Sequence, residues 1–330
     1  MMPLSILDLS IVGEGETVAD ALASCVTLAR TAETSGYARV WYAEHHNMAA
    51  VASSATAVLI AHVAAHTDHI RLGSAGIMLP NHPPLVIAEQ FGTLAALHPG
   101  RIDLGLGRAP GTDRVTVRAL RRDPAAAEDF PRDVLELQAF LGDESRVPGV
   151  EATPGKGTHV PITILGSSLF GAELAGLLGL PVGFASHFAP AQLCDAVALY
   201  RATFRPSSQQ SEPYVLAGVN VLAADDADDA QRQFVQQRRA RLRRFLLRPG
   251  VEVSDEQVDR ILDSPQGASV AAMLTHTAVG TGEMVAEQLA EFARYADADE
   301  LIVCHQSPRM DDRLRSVELT AKAVGLGSVA

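Results

Sequence analysis

Lysine is nearly missing from this 330-residue chain: Lys156 and Lys322 stand against 25 arginines. Both cations solvate a surface about equally well, so the bias reads as coding preference and not as function. Basic charge as a whole is short, 27 Lys and Arg against 39 Asp and Glu, for a net charge of -12. That argues against a nucleic-acid partner, because neutralising phosphates needs a basic face. Cysteine is scarce, odd in number and scattered (Cys25, Cys194, Cys304). A disulfide framework is therefore not expected; the three read as buried free thiols in a reducing cytoplasm. No uncharged apolar run nears ~18 residues and no basic-then-apolar leader precedes the first strand, so a soluble cytoplasmic protein with no membrane partner is expected. GxGxxG does not follow the first strand, GxSxG is missing, and His62 and His66 lack the glutamate of HExxH. Rossmann, serine-hydrolase and zinc-peptidase readings lose their usual support.

What is present is apolar and periodic. Hydrophobic residues make up 47% and charged residues 20%, the balance of a well-buried core. Eight strand candidates alternate with helical stretches: Leu4 to Val12, Arg39 to Ala43, Ile70 to Met78, Arg101 to Leu106, Ile162 to Leu165, Val182 to Ser186, Val215 to Ala223 and Glu300 to Cys304. Between the third and fourth, the Pro83-Pro84 pair opens a helix that closes at His98-Pro99-Gly100, which completes one β-α-β unit. Eight such strands fit an α/β fold, a (β/α)8 TIM barrel, better than an open doubly wound sheet. The chain reads as a single domain, 1–330, with insertions after strands 4 and 7. The first insertion holds Pro124, Pro131, Pro148 and a Gly/Pro-rich stretch at 153–157. The second begins with a charged helix, Asp225 to Leu247, and continues through Pro249-Gly250 to Gly280. Its segment about 245–282 is expected to be a mobile lid, as long βα connections often are. The run Arg238, Arg239, Arg241, Arg243, Arg244 reads as a solvated face paired with Asp225, Asp226, Asp228 and Asp229.

Barrels of this kind build their sites from the loops at the carboxyl ends of the strands. Unusual residues collect there: Glu44-His45-His46-Asn47 after strand two, Asn81-His82 after strand three, Arg108 after strand four, Gly166-Ser167-Ser168 after strand five and His187 after strand six. Gly166-Ser167-Ser168 opens a helix, Leu169 to Leu178, whose free N–H groups suit an anion, although serine also caps many helices that bind nothing. Arg108 lies one strand away. A charge pair at ~4 Å is worth about 4 kcal/mol at an effective dielectric of 20, enough to anchor a phosphorylated cofactor. His45 is the candidate acid/base group, its imidazole able to serve in either protonation state near neutral pH. His45 and His46 are neighbours on an extended stretch and point to opposite faces, so no metal site is expected.

These stretches resemble those of the bacterial luciferase-like flavin monooxygenases. The likeness is carried by Trp41 to His46, by Arg71-Leu72-Gly73-Ser74-Ala75-Gly76-Ile77-Met78-Leu79-Pro80 and by Gly100 to Arg108. It resumes at Ile164 to Ser168 and from Val279 to Val303. The chain looks most like the single-chain, alkanal-monooxygenase-like subgroup. The resemblance implies a barrel that takes reduced FMN from a separate flavin reductase, reacts it with O2, and oxidises a small, apolar organic substrate through a flavin C4a-hydroperoxide. It further implies a homodimer. By resemblance Ala75-Gly76 forms a non-prolyl cis peptide against the flavin ring, Arg108 and Gly166-Ser167-Ser168 hold the FMN phosphate, and His45 is the catalytic histidine. Gly107 stands where the family carries a reactive cysteine, which departs from aldehyde luminescence chemistry. The alternatives are F420-dependent hydride transfer in the same barrel and a non-catalytic flavin-binding protein.

Overall fold

The computed structural model describes residues 2–13, 15–109, 111–247 and 253–327. Nine parallel strands occur among them: β1 (Leu4–Asp8), β2 (Arg39–Tyr42), β3 (Arg71–Met78), β4 (Ile102–Gly107), β5 (Ile162–Gly166), β6 (Val182–Phe184), β7 (Val215–Ala223), β8 (Thr277–Gly280) and β9 (Glu300–His305). Their order is β6-β5-β4-β3-β2-β1-β9-β7-β8, and β6 also pairs with β7, so eight strands close a barrel. All eight expected strands are present. The helices are α1 (Val18–Thr34), α2 (Thr56–Ala64), α3 (Pro84–Leu97), α4 (Arg114–Ala119), α5 (Phe130–Leu141), α6 (Leu169–Leu178), α7 (Leu193–Thr203), α8 (Ala227–Leu246), α9 (Asp255–Leu262), α10 (Ala268–Ala272), α11 (Gly282–Tyr295) and α12 (Met310–Val324).

Departures from the sequence reading have local causes. β1 ends at Asp8, short of Val12, because the Asp8 side chain accepts from the Ser10 amide at 2.8 Å and Ser10 takes φ 48°. The first insertion is mostly built: Phe130, Val134, Leu137 and Leu141 recur along α5 and are buried, with Pro131 in its first turn, where the missing N–H costs nothing. β8 is an additional ninth strand. It pairs with Asn220–Ala223 of β7, on the edge that β6 leaves after Ala217. Of the expected lid, residues 248–252, Pro249-Gly250 included, lie outside the described residues; α9, α10 and β8 occupy the rest. Cys25 and Cys304 are buried, but Cys194 is exposed, on the solvent side of α7.

Two apolar layers hold the barrel. The larger lies between strands and helices, where Val40, Leu72, Leu104 and Val303 meet Ala29, Ile60, Phe91 and Val317. The smaller fills the barrel itself with Leu7, Trp41, Leu216, Ile302 and Cys304. Trp41 fits because Gly73 has no side chain: a Cβ there would lie 2.5 Å from the indole ring. The amino-terminal floor is ionic. Arg39 pairs with Glu300 at 3.1 Å and with Asp103 at 3.4 Å, Arg71 grips Asp103 at 2.7 Å, and the Tyr214 hydroxyl donates to Glu300 at 2.8 Å. The carboxyl-terminal mouth is left for chemistry.

Candidate active site

The backbone of β3 sets the floor of the mouth. The Ala75-Gly76 peptide is cis, at the point where the β3–β4 register shifts between Ser74 and Ile77. The Ser74 hydroxyl donates to the Gly105 carbonyl at 2.8 Å. Strand backbones run so close here that a Cβ on Gly105 would lie 2.0 Å from the Ser74 carbonyl oxygen. The Leu165 side chain packs onto these small residues, 3.0 Å from where a Gly76 Cβ would lie. At Gly107 a Cβ would come 3.0 Å from the Met78 sulfur, so Met78 occupies the space toward which a cysteine would point.

Beside that floor, β4 and β5 are in register with Gly107 opposite Leu165, which brings Arg108 next to Gly166-Ser167-Ser168. The Arg108 guanidinium lies over the Phe170 ring in the first turn of α6, 4.2 Å from its centroid. Ser168 is the N-cap residue of α6 with extended backbone, yet its side chain makes no capping bond. The first-turn N–H groups therefore keep their capacity for an outside acceptor. A Cβ at Gly166 would meet nothing within 4 Å, which is open room above the helix start. These residues fit a phosphate: cation, free amides and space at one strand junction.

His45 follows β2. Its backbone N–H is spent on the Ser53 carbonyl at 3.1 Å, while ring atom Nδ1 is buried with no partner among the described residues. Burial pushes its pKa below the ordinary histidine value, and the opposing pull of Glu44 does not restore it. The imidazole is thus mainly neutral at pH 7.

The sequence reading missed how Glu44, His46 and His82 meet. Glu44 Oε1 lies 2.9 Å from His46 Nε2 and 2.8 Å from His82 Nε2, and Glu44 Oε2 accepts from the Met78 amide at 3.2 Å. Burial would raise the Glu44 pKa, but the bonds from His82, His46 and Met78 outweigh it and hold the carboxyl below its usual value. His46 pairs through Glu44 with His82 from the next loop. The three ligand-type atoms lie within 4.8 Å of one another, a set that ties the β2 and β3 loops together. Asn81-His82 had been noted only as a polar strand end; its spacing to Glu44 carried no signal. His187 sits at the mouth near β7: a Cβ on Gly218 would meet its Nδ1 at 2.4 Å.

The arginine run also departs from expectation. Arg238, Arg239 and Arg243 pair with Asp263, Asp255 and Asp259 of the α9 region, while Asp225 pairs with Arg315 and Asp229 with Arg232. Arg241 turns inward and is 7% exposed.

A closed parallel barrel with small, cationic and imidazole groups gathered on its carboxyl-terminal face defines the (β/α)8 enzyme class. Sequence comparison makes this specific. The family described as luciferase-like monooxygenase matches residues 2–299, and the chain belongs to it. A luciferase-like monooxygenase of Escherichia coli K12 is 46% identical over 321 residues, spanning 96% of this chain and 95% of that one. The N-acetyl-S-alkylcysteine monooxygenase of Bacillus subtilis is 33% identical over 335 residues, 98% of each chain. Among solved structures, apo-MsnO8 superposes with a TM-score of 0.88 at 34% identity over 99% of this chain and 100% of that one. Two more distant structures share the fold over 98% of both chains. One is the oxygenating constituent of 3,6-diketocamphane monooxygenase of Pseudomonas putida in complex with FMN (TM-score 0.73, 17% identity). The other is an F420-dependent secondary alcohol dehydrogenase (TM-score 0.67, 16% identity). The protein is accordingly an oxidoreductase of the monooxygenase family. No helix among the described residues is long and apolar enough to cross a membrane.

Proposed function

We propose that the protein is an FMN-dependent monooxygenase of the two-component kind, taking reduced FMN from a separate reductase and using O2 to oxidise a small, apolar organic molecule. The observation that carries the reading is the junction of β4 and β5. There Arg108 lies against the uncapped start of α6 beside open space at Gly166, one strand from the Ala75-Gly76 backbone. A phosphate would sit between the guanidinium and the helix amides, and a ring system would lie on Ala75-Gly76. Bound reduced flavin supplies the electrons that activate O2. His45, neutral and with Nδ1 unengaged, would accept or return a proton at the reacting centre. Glu44 fixes the loop that carries it. The segment 245–282 would cover the mouth and exclude water. The N-acetyl-S-alkylcysteine monooxygenase relative supports oxygen insertion into a small organic compound as the class of reaction. Homodimer assembly and a cytoplasmic location complete the proposal.

Anaerobic titration with reduced FMN, followed by an oxygen pulse, tests it. A long-lived absorbing species distinct from both reduced and oxidised FMN is expected. Immediate reoxidation at the rate of free FMN would overturn the reading, and so would tight binding of F420 with none of FMN.

A further inference from the structure

We propose that the barrel mouth holds a second anion site, formed by Arg241, Arg244 and Arg313, that receives the carboxylate or similar head group of an amphiphilic organic substrate. The inference rests on the flavin reading above and deepens it by naming the substrate class.

The two faces of α8 are treated differently. Its outer arginines all have carboxylate partners: Arg238 with Asp263 at 3.7 Å, Arg239 with Asp259 and Asp255 at 2.5 and 2.6 Å, and Arg243 with Asp255 at 2.6 Å. Its inner face presents Gln237, Arg241 and Arg244, spaced i, i+4 and i+7, which places them on one stripe. Gln237 is tied down by a side-chain hydrogen bond to Gln306, just past β9. Arg241 is buried, yet among the described residues its side chain makes a single hydrogen bond, to the Met273 carbonyl at 3.3 Å. No described carboxylate lies within ion-pair distance of Arg241, Arg244 or Arg313.

Arg313 reaches the same place from α12. It lines a narrow crevice with Asp8, Leu9, Cys304, His305 and Gln306, and its Nε is buried with no partner among the described residues. Arg244, exposed at the rim, lies within electrostatic reach of both other guanidinium groups. Asp8 is the one carboxylate in the crevice, and its Oδ1 already accepts from the Ser10 amide at 2.8 Å. Arg313 also lines an adjoining crevice with Asp8 and Glu16, and the Gly13 amide donates to Glu16 at 2.9 Å; three cations thus face two carboxylates, neither of them at ion-pair distance. A buried guanidinium without a counter-ion is costly, and a ligand that brings negative charge removes that cost.

The neighbouring wall says what the rest of the ligand is. Cys304 belongs to the apolar filling of the barrel with Leu7, Trp41, Leu216 and Ile302, and both Leu9 and Ala75 pack against that cluster. Leu9 and Ala75 are the part-exposed residues over that buried cluster, so a ligand whose head group meets the arginines would lay its apolar body along them toward Ala75-Gly76. Guanidinium groups bind carboxylates as flat two-oxygen head groups, through paired N–H donors.

Cofactor phosphate is the competing source of negative charge, because many barrels place phosphates after their last two strands, as Arg241 and Arg313 are placed. Calorimetric titration of the full chain with octanoate and with 1-octanol, in the presence and absence of FMN, separates the possibilities. Octanoate is expected to bind about tenfold or more tighter than octanol, as charge-assisted hydrogen bonds allow. Arg241→Gln and Arg313→Gln should erase that preference and leave FMN affinity unchanged. Arg243→Gln, on the outer face, should keep the preference. Equal binding of octanoate and octanol by the wild-type chain, which needs no variant, would overturn the proposal. Weakened FMN binding in Arg241→Gln, with Arg241→Lys folded and restoring it, would assign the cluster to the cofactor instead. Failure of FMN to bind at all would remove the flavin reading but leave the octanoate comparison on the apoprotein readable.

Discussion

At the scale of single residues, the proposed flavin site rests on groups whose partners are missing in a telling way. Among the described residues Arg108 has an aromatic ring beneath it and no carboxylate partner, and His45 Nδ1 is buried without a hydrogen bond. Replacing Arg108 by Gln should weaken FMN by about tenfold to a hundredfold, the worth of a charged hydrogen-bonding partner. Riboflavin, which lacks the phosphate, should bind both forms alike; fluorescence quenching on titration measures each. His45→Ala should keep FMN affinity and lose product, with reduced FMN consumed to make peroxide. Because burial lowers the His45 pKa, the acid limb of the wild-type rate profile should fall below pH ~6.5, the value of a free imidazole. Arg108, His45 and the Gly166-Ser167-Ser168 helix start were legible in the sequence because each is a lone polar residue at the end of an apolar strand. Glu44 with His82 was not. The two are 38 positions apart, and only barrel closure puts their loops side by side.

At the scale of elements, the strands and the helices with clear periodicity could be read directly, α3 and α6 to within a residue of their ends. α5 does not stand out in the sequence although Phe130, Val134, Leu137 and Leu141 show helical spacing, because a proline such as Pro131 ends a helix as often as it opens one in the first turn. The arginine run was assigned to the wrong acids for a physical reason. Charge pattern within a helix favours near partners, whereas α9 folds back and offers Asp255 and Asp259 across the helix pair. The packing of α3 on the first insertion supplies a test of how firmly that insertion is held. A Cβ at Gly92 would lie 2.3 Å from the Gly155 backbone. Gly92→Ala should therefore cost about 2 kcal/mol or more in urea unfolding, since backbone cannot retreat as a flexible side chain can.

At the scale of the whole molecule, the barrel stores both its acid sensitivity and its ionic floor in buried groups. His305, at the end of β9, is buried and lies 2.8 Å from the Ser316 hydroxyl. Burial, with Arg313 nearby, pushes its pKa down to about 3. Between pH ~6.5 and 3 the unfolded chain takes up a proton that the native chain refuses, so stability falls as pH drops. From pH 6.5 to 5 the loss from this group is about 2 kcal/mol, and His305→Gln should flatten that part of the curve in denaturant titrations. On the opposite face, Glu300→Gln leaves the Arg39 guanidinium short of its fully buried partner. A loss of about 3 kcal/mol is expected, read as a lowered denaturation midpoint.

The segment proposed above to cover the mouth has a filling of its own. Leu242, Val258, Leu262 and Val270 cluster apart from both barrel layers, so α9 and α10 share aliphatic contacts with α8 and not with the drum beneath. Trimming Leu262 to alanine should release that flap ahead of the rest, giving two separate waves of amide hydrogen exchange where an undivided interior would give one.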